Sequence, residues 1–354
     1  LGKFNAQSGR WDGEDADPAR RRQPFAPRQK SAFPVTCDEN ADELVGNMDW
    51  RDDGDRAGEI WPDLHDRESC GENIAFNARR VVDLARRYCT DCEGYHLSHC
   101  LRRVGQGRDR QEKRSRLVDV VAGLAAGRET VDILVAGAAD TATLALCAHA
   151  VARIGALPRT RFTVLDRCET PLALCREFAR RHGLNLTAAR VDLSSPGRGF
   201  TADIGVLDSV LMFIAPAARV GVLHSLGRWL RPGGRLIVSM SLRLSPEAIA
   251  QDTRIKTEHA QAGLSHADGA GLHKATDDGV WAEIDRDLAR NRARRRDNAS
   301  ADEMAALFAA AGLTEVASQR YVDEKVGPAG TVRRGERLIA VLAPRALSDS
   351  GAHQ

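Results

Sequence analysis

Aromatic side chains make up only 5% of the 354 residues, and this scarcity argues against a surface built to stack nucleic-acid bases. An excess of one charge sign is missing too. Lys+Arg 51 against Asp+Glu 49 leaves a formal net charge of +2, so no global field draws the chain to nucleic acid or to an anionic membrane. No run reaches the roughly 18 consecutive apolar residues that span a bilayer, and no apolar segment of the secretory kind lies near the first residue. A cytoplasmic location is therefore expected, with no membrane partner, and the balance of charge argues against nucleic acid. Glycine is scarce at an informative place. "ILVAGAADTATLAL" (133–146) reads as the turn after a first buried strand, but it has a single glycine where a dinucleotide-binding loop wants three. A nicotinamide-dependent oxidoreductase is disfavoured on that ground. The eight cysteines (37, 70, 89, 92, 100, 147, 168, 175) are scattered, some inside helical patterns, which argues against a disulfide framework.

What is present is 43% hydrophobic residues and 28% charged ones, enough for one sizeable α/β core with appendages. Residues 1–68 mix Arg, Asp, Pro and Gly with few periodic apolar positions, and a disordered leader is expected there. Residues 69–130 read as an N-terminal helical lid segment, with "ENIAFNARRVVDLARRY" amphipathic and a second helix from Glu112 to Ala126. From 131 to 345, short apolar runs alternate with helical patterns. The runs are 131–137, 161–166, 186–193, 202–211 and 234–242. Their continuous hydrophobicity implies strands covered on both faces, hence a doubly wound, mostly parallel sheet. Thr170 followed by Pro171 predicts an N-cap and first helical turn, and Gly183 a helix stop. A polar helical insertion occupies 243–299. Ser300 with Glu303 then predicts a capping box, Gly312 a stop, and "VGPAGTVRRG" (326–335) the turn before a last strand at 336–344, antiparallel at the sheet edge. Residues 346–354 are expected to be a disordered tail.

In such a sheet the ligand sits beyond the carboxyl ends of the strands. Those ends carry Gly137-Ala138-Ala139-Asp140, Asp166, Asp192 and Asp208. Asp166 is suited to accept both hydroxyl protons of a ribose, and Asp192 to accept the amine of an adenine. Each aspartate can instead cap the next helix. One turn glycine with small neighbours suits a ligand with adenosine and a zwitterionic tail better than a pyrophosphate.

The segments "ILVAGAADTATL", "VLDRC", "ARVDL", "ADIGVLDSVLMFI", "LGRWLRPGGRLIVSMSL" and "SADEMAALFAAAGLTEV" resemble, in this order, the class I S-adenosylmethionine-dependent methyltransferases over about 131–343. The resemblance implies a Rossmann-like seven-stranded sheet with an antiparallel last strand and S-adenosyl-L-methionine as cofactor. It implies that Gly137, Ala138 and Ala139 line the methionine part and that Asp166, with Arg167 beside it, holds the ribose. Asp192 and Leu193 would bracket the adenine, and Asp208 and Ser209 would face the sulfonium. The chain departs from the family in having Ala138 and Ala139 for the later loop glycines, and in placing Asp166 29 positions after Gly137.

Methyl transfer from a sulfonium needs positioning more than a dedicated base. Candidates for catalysis lie in "CTDCEGYHLSHCLRR" (89–103): Tyr95, His96, His99 and Arg102, which can equally cap and pack a helix. Cys89, Cys92, His96, His99 and Cys100 admit a zinc reading, but their crowding within one short stretch fits no standard finger, and no metal is expected. In the insertion, His259, His266, His273, Asp277, Asp278 and Trp281 can line a pocket or form a solvated lid. "ARNRARRR" (289–296) reads as a solvated helical face. The expected activity is methylation of a small-molecule acceptor at O or N. An RNA or protein methyltransferase and a non-catalytic relative stand as alternatives, and a homodimer is left open.

Overall fold

Six successive buried residues, Val131–Ala136, form the central strand β1. In the computed structural model the described residues are 4–5, 10–11, 84–85, 87–89, 95–96, 98–99, 111–194, 199–269 and 278–345. Ahead of β1 lies helix α1 (Gln111–Ala125). After it the chain runs α2 (Ala142–Ala152), β2 (Thr160–Asp166), α3 (Glu169–Arg181), β3 (Asn185–Arg190), β4 (Ala202–Asp208), α4 (Pro216–Arg228) and β5 (Leu230–Ser241). Two lid helices follow, α5 (Pro246–Gly269) and α6 (Asp278–Arg296), then α7 (Ala301–Ala310) and the hairpin β6 (Leu313–Val326) and β7 (Val332–Pro344).

The seven strands lie in the order β3-β2-β1-β4-β5-β7-β6. The first five are parallel; β7 runs antiparallel to β5, and β6 antiparallel to β7. This is the doubly wound, Rossmann-like sheet expected from the alternation of apolar runs, with order reversing between β1 and β4. Both faces are covered. Leu117 and Val121 of α1 and Leu144 and Val151 of α2 pack on one face against Ile133, Val135 and Phe162. On the other, Leu223 and Leu226 of α4 and Met304 and Phe308 of α7 pack against Leu134, Leu207 and Val238. Each such aliphatic side chain, fully buried, contributes about 1.5–3 kcal/mol.

Local signals account for most boundaries. Ser300 Oγ accepts from the Glu303 N–H while the Glu303 carboxylate accepts from the Ser300 N–H, closing the capping box that starts α7. Gly183 and Gly312 take positive φ after α3 and α7.

Several boundaries differ from expectation. The N-cap of α3 is Cys168, in extended conformation, because the Asp166 carboxylate accepts the Cys168 N–H at 2.7 Å and starts the helix two residues early. Thr170 is thus inside the first turn, buried, and its hydroxyl points to the Leu84 carbonyl at 3.3 Å instead of capping. Strand β3 stops at Arg190, which leaves Asp192 in the loop beyond. Strand β5 begins at Leu230, since Leu230 pairs with Ala202 across a bulge, and residues 332–335, expected in a turn, are strand because β7 pairs with β6 as far as Val326↔Val332. In the expected leader, Phe4–Asn5 and Arg10–Trp11 pair as two short antiparallel strands; the rest of 1–68 and the expected tail 346–354 lie outside the described residues. No described helix is long and apolar enough to cross a membrane.

Candidate functional site

The strand ends and the lid enclose a cavity of about 290 Å³. Gly137, Ala138, Ala139, Asp166, Arg167, Asp192, Leu193, Asp208 and Ser209, all expected at a cofactor site, line it together, and so do Tyr95, His96 and His99.

The loop after β1 is shaped by one glycine. Gly137 has φ +82°, and a Cβ there would meet Val210 Cγ2 at 2.6 Å, so the position demands both the left-handed conformation and the missing side chain. Its N–H donates to the Leu165 carbonyl at 2.7 Å. The next residue is held from β2: Asp166 Oδ2 accepts the Ala138 N–H at 2.9 Å. Burial pushes the Asp166 pKa up, against the pull of the Ala138 and Cys168 N–H groups and of His96. Each carboxylate oxygen that accepts one N–H keeps capacity for a further donor. A ribose diol can therefore be gripped while the loop stays tied.

The other aspartates divide their duties. Asp140 Oδ1 accepts the Ala142 N–H at 2.8 Å and so caps α2. Asp192 is exposed in the loop after β3, its Oδ1 accepting the Ser194 N–H at 2.8 Å, while buried Leu193 presents an apolar wall beside it. At the end of β4, Ser209 has φ +61°, a strained conformation for a residue with a side chain. It is pinned by its N–H to the Ser239 carbonyl at 2.6 Å and by Arg337 Nη2, which donates to Ser209 Oγ at 2.9 Å. Ser209 Oγ also reaches Asp208 Oδ1 at 3.2 Å. Burial works against the Arg337 charge, but Tyr321, Asp208 and Asp323 outweigh it and hold its pKa above the ordinary value. Arg337, within an apolar run of β7, carried no signal in the sequence.

The N-terminal segment closes the end of the cavity beside the loop after β1. His96, 3% exposed, has Nδ1 2.9 Å from the Ala139 carbonyl oxygen. His99 Nε2 lies 3.2 Å from Asp140 Oδ2. Tyr95 stacks on His99 and meets Phe213 edge-on at 5.0 Å. His96 and His99 thus brace the loop after β1. Arg102, and Cys92 and Cys100 of the zinc reading, lie outside the described residues. Of that reading the structure keeps Cys89 and His96 together but adds Cys168 in place of His99.

The other end of the cavity is walled by Met212, Phe213 and Ile214 and by four polar residues that were not expected at the site: Lys256, Asn291, Arg294 and Lys325. Asp252, 1% exposed, accepts from Lys256 at 2.8 Å and from Lys325 at 3.1 Å, with Arg333 at 3.4 Å. Lys256 Nζ donates to Asn291 Oδ1 at 3.3 Å, Asn291 to Asp287 Oδ2 at 3.3 Å, and Ser98 Oγ to the same Asp287 oxygen at 2.7 Å. The lid is therefore not a solvated pair of helices: His259 is buried, and Arg294, expected on a solvated face, stands over the Phe213 ring at 4.9 Å. His273 and Asp277, and the side chains of His266, Asp278 and Trp281, lie outside the described residues.

Seven strands ordered with the reversal between β1 and β4 and an antiparallel pair at one edge form a doubly wound, Rossmann-like sheet. Among solved structures, the chain is similar to mitomycin 7-O-methyltransferase (18% identity, TM-score 0.40, 71% of this chain and 57% of that one). It is also similar to an O-methyltransferase family protein from Burkholderia thailandensis (14% identity, TM-score 0.40, 71% of this chain and 60% of that one). A third similar structure concerns the conversion of a disulfide bond into a thioacetal group during echinomycin biosynthesis (17% identity, TM-score 0.43, 70% of this chain and 90% of that one). The chain spans less than two thirds of the length of the first two. No family model and no curated protein matches the sequence.

Proposed function

We propose that this protein transfers a methyl group from S-adenosyl-L-methionine to a small-molecule acceptor through an oxygen or nitrogen nucleophile. One observation carries the reading: Gly137–Ala139, Asp166, Leu193 and Asp208, from four successive strand ends, line a single cavity. The residues fit the cofactor part by part. Asp166 would accept from the ribose hydroxyls, Leu193 and Asp192 would flank the adenine, and the 137–140 loop would pass the methionine chain over its small side chains. Asp208 would lie toward the positive sulfonium. The cofactor supplies the electrophilic methyl group; the chain's own work is to hold the acceptor in line with it and to keep water out.

A small acceptor is favoured because residues of α5 and α6 and Tyr95, His96 and His99 face the strand ends across a cavity of about 290 Å³. Phe213 offers an aromatic wall, while Lys256, Lys325 and Arg294 suit an acceptor that carries negative charge. Tyr95 is the phenol nearest that wall. Calorimetric titration with S-adenosylmethionine, S-adenosylhomocysteine and NAD tests the proposal. Micromolar binding of the first two and none of the third is expected; binding of NAD alone, or of nothing, sinks it.

A further inference from the structure

We infer that Cys89, His96 and Cys168 form a metal site for zinc, built where the N-terminal segment meets the rim of the cofactor pocket. The three side chains come from two parts of the chain, with Cys89 and Cys168 79 residues apart, yet their ligand atoms all lie within 4.8 Å of one another. The sulfur–sulfur distance is 3.6 Å. Two thiolates on a tetrahedral zinc, with Zn–S about 2.3 Å, sit about 3.8 Å apart, so the thiols already have the spacing that the ion requires.

The tautomer of the imidazole suits the same task. His96 Nδ1 is 2.9 Å from the Ala139 carbonyl, an acceptor only, so Nδ1 carries the hydrogen and the ring's lone pair is on Nε2. A backbone carbonyl behind a ligating imidazole is the usual outer-shell partner. Cys89 has one as well: Thr170 Oγ1 lies 2.9 Å from its sulfur, and its single proton, directed at the Leu84 carbonyl while Cys89 is a thiol, can turn to donate to a thiolate. This gives Thr170, displaced from the capping role, an alternative purpose. Binding would convert two thiols to thiolates, releasing two protons to solvent, and two thiolates with one divalent ion make a neutral cluster. Neutrality matters here, since His96 and Cys168 are buried and Cys89 is half-buried. Three protein ligands leave a fourth position for water, as in open zinc sites. Cys168 follows Asp166 by two residues and His96 holds Ala139, so the ion would fasten the roof to the ribose-binding strand and the cofactor loop together.

The test uses the full chain, purified under reducing conditions, with zinc as the probe. One equivalent of zinc is expected, with X-ray absorption showing two sulfurs and at least one imidazole nitrogen. Cys89→Ala and Cys168→Ala should each weaken zinc binding by about 100-fold or more, while Cys168→His, which restores a ligand, should recover most of it; this rescue separates ligation from misfolding. Cys70→Ser should bind zinc normally. Sub-stoichiometric zinc, a shell without sulfur, or wild-type affinity in both alanine variants overturns the site. Binding of S-adenosylhomocysteine is scored separately on the same samples, so loss of one reading is distinguishable from loss of the other.

Discussion

The Asp166 carboxylate accepts the main-chain N–H of Ala138 at 2.9 Å, tying the end of β2 to the turn after β1. One group thereby both shapes the loop and faces the cavity beyond it. Because burial raises its pKa, ionisation is shifted to higher pH than for an ordinary carboxylate. Under the proposed function, cofactor hydroxyls would donate to that ionised form. Affinity for S-adenosylhomocysteine should therefore fall as pH drops through the raised value, and binding should release protons in that window. Asp166→Asn should weaken binding by 10- to 100-fold, or about 1.5–3 kcal/mol for a lost charged acceptor. Calorimetry in buffers of different ionisation enthalpy reads both effects, and an unchanged affinity would remove the ribose role.

Gly137→Ala meets two separable obstacles. Positive φ costs a side-chain-bearing residue about 1–2 kcal/mol, and the new methyl would overlap Val210. The variant should melt lower and bind cofactor more weakly. Adding Val210→Ala should restore the part due to overlap and leave the part due to φ, so a double-mutant cycle of thermal melts should show coupling of the two sites.

Asp252 and Glu324 give opposite expectations for removing a carboxylate. Asp252 is 1% exposed and faces Lys256, Lys325 and Arg333; Asp252→Ala would strand buried cations and should cost about 3–5 kcal/mol. Glu324 pairs with Arg334 at 2.7 Å, the arginine largely in solvent, and Glu324→Ala should cost under about 1 kcal/mol. Denaturant unfolding of the two variants side by side checks the contrast. Equal costs would mean that the Asp252 cluster is hydrated.

His182 sets an acid limit on stability. Burial, with Arg181 close by, lowers its pKa to about 4, and its ring packs on Phe178 at 4.5 Å. Below the unfolded value of 6.5 the unfolded chain takes up a proton that the folded chain refuses. Stability should thus be full above pH 6.5 and decline as pH falls toward 4, by about 3 kcal/mol at most from this group. His182→Phe should flatten that part of the pH–stability curve, and an unchanged curve would show that the ring is not desolvated.

The sheet was legible where burial is two-sided, because residues such as Val131–Ala136 and Ala202–Leu207 admit no other reading than strands covered on both faces. The hairpin was less so: Val322, Val326 and Val332 are exposed and alternate with charges, so β6 and β7 run further than apolar content suggests. That the strand-end residues meet at one cavity was readable, since strand ends are fixed by the sheet. The opposite wall was not. Lys256, Asn291 and Arg294 sit on helices that are polar on most faces, and only the pairing of α5 with α6, together with Asp252 and Asp287, decides which polar residues turn inward. Arg337 was hidden for the opposite reason, as one charge inside an apolar strand. Cys168 was missed as a helix cap because the cap is imposed by Asp166, not by the cysteine's own chemistry.

The lid helices enter the chain as one uninterrupted stretch between β5 and α7, whereas the loop after β1 and the ends of β2 and β4 belong to the sheet itself. The molecule is in this sense modular. Under the proposed function, exchange of residues 243–299 for a differently lined stretch would change the far wall of the cavity while leaving the strand ends in place, provided the new stretch keeps a carboxylate to hold Lys325 and Arg333.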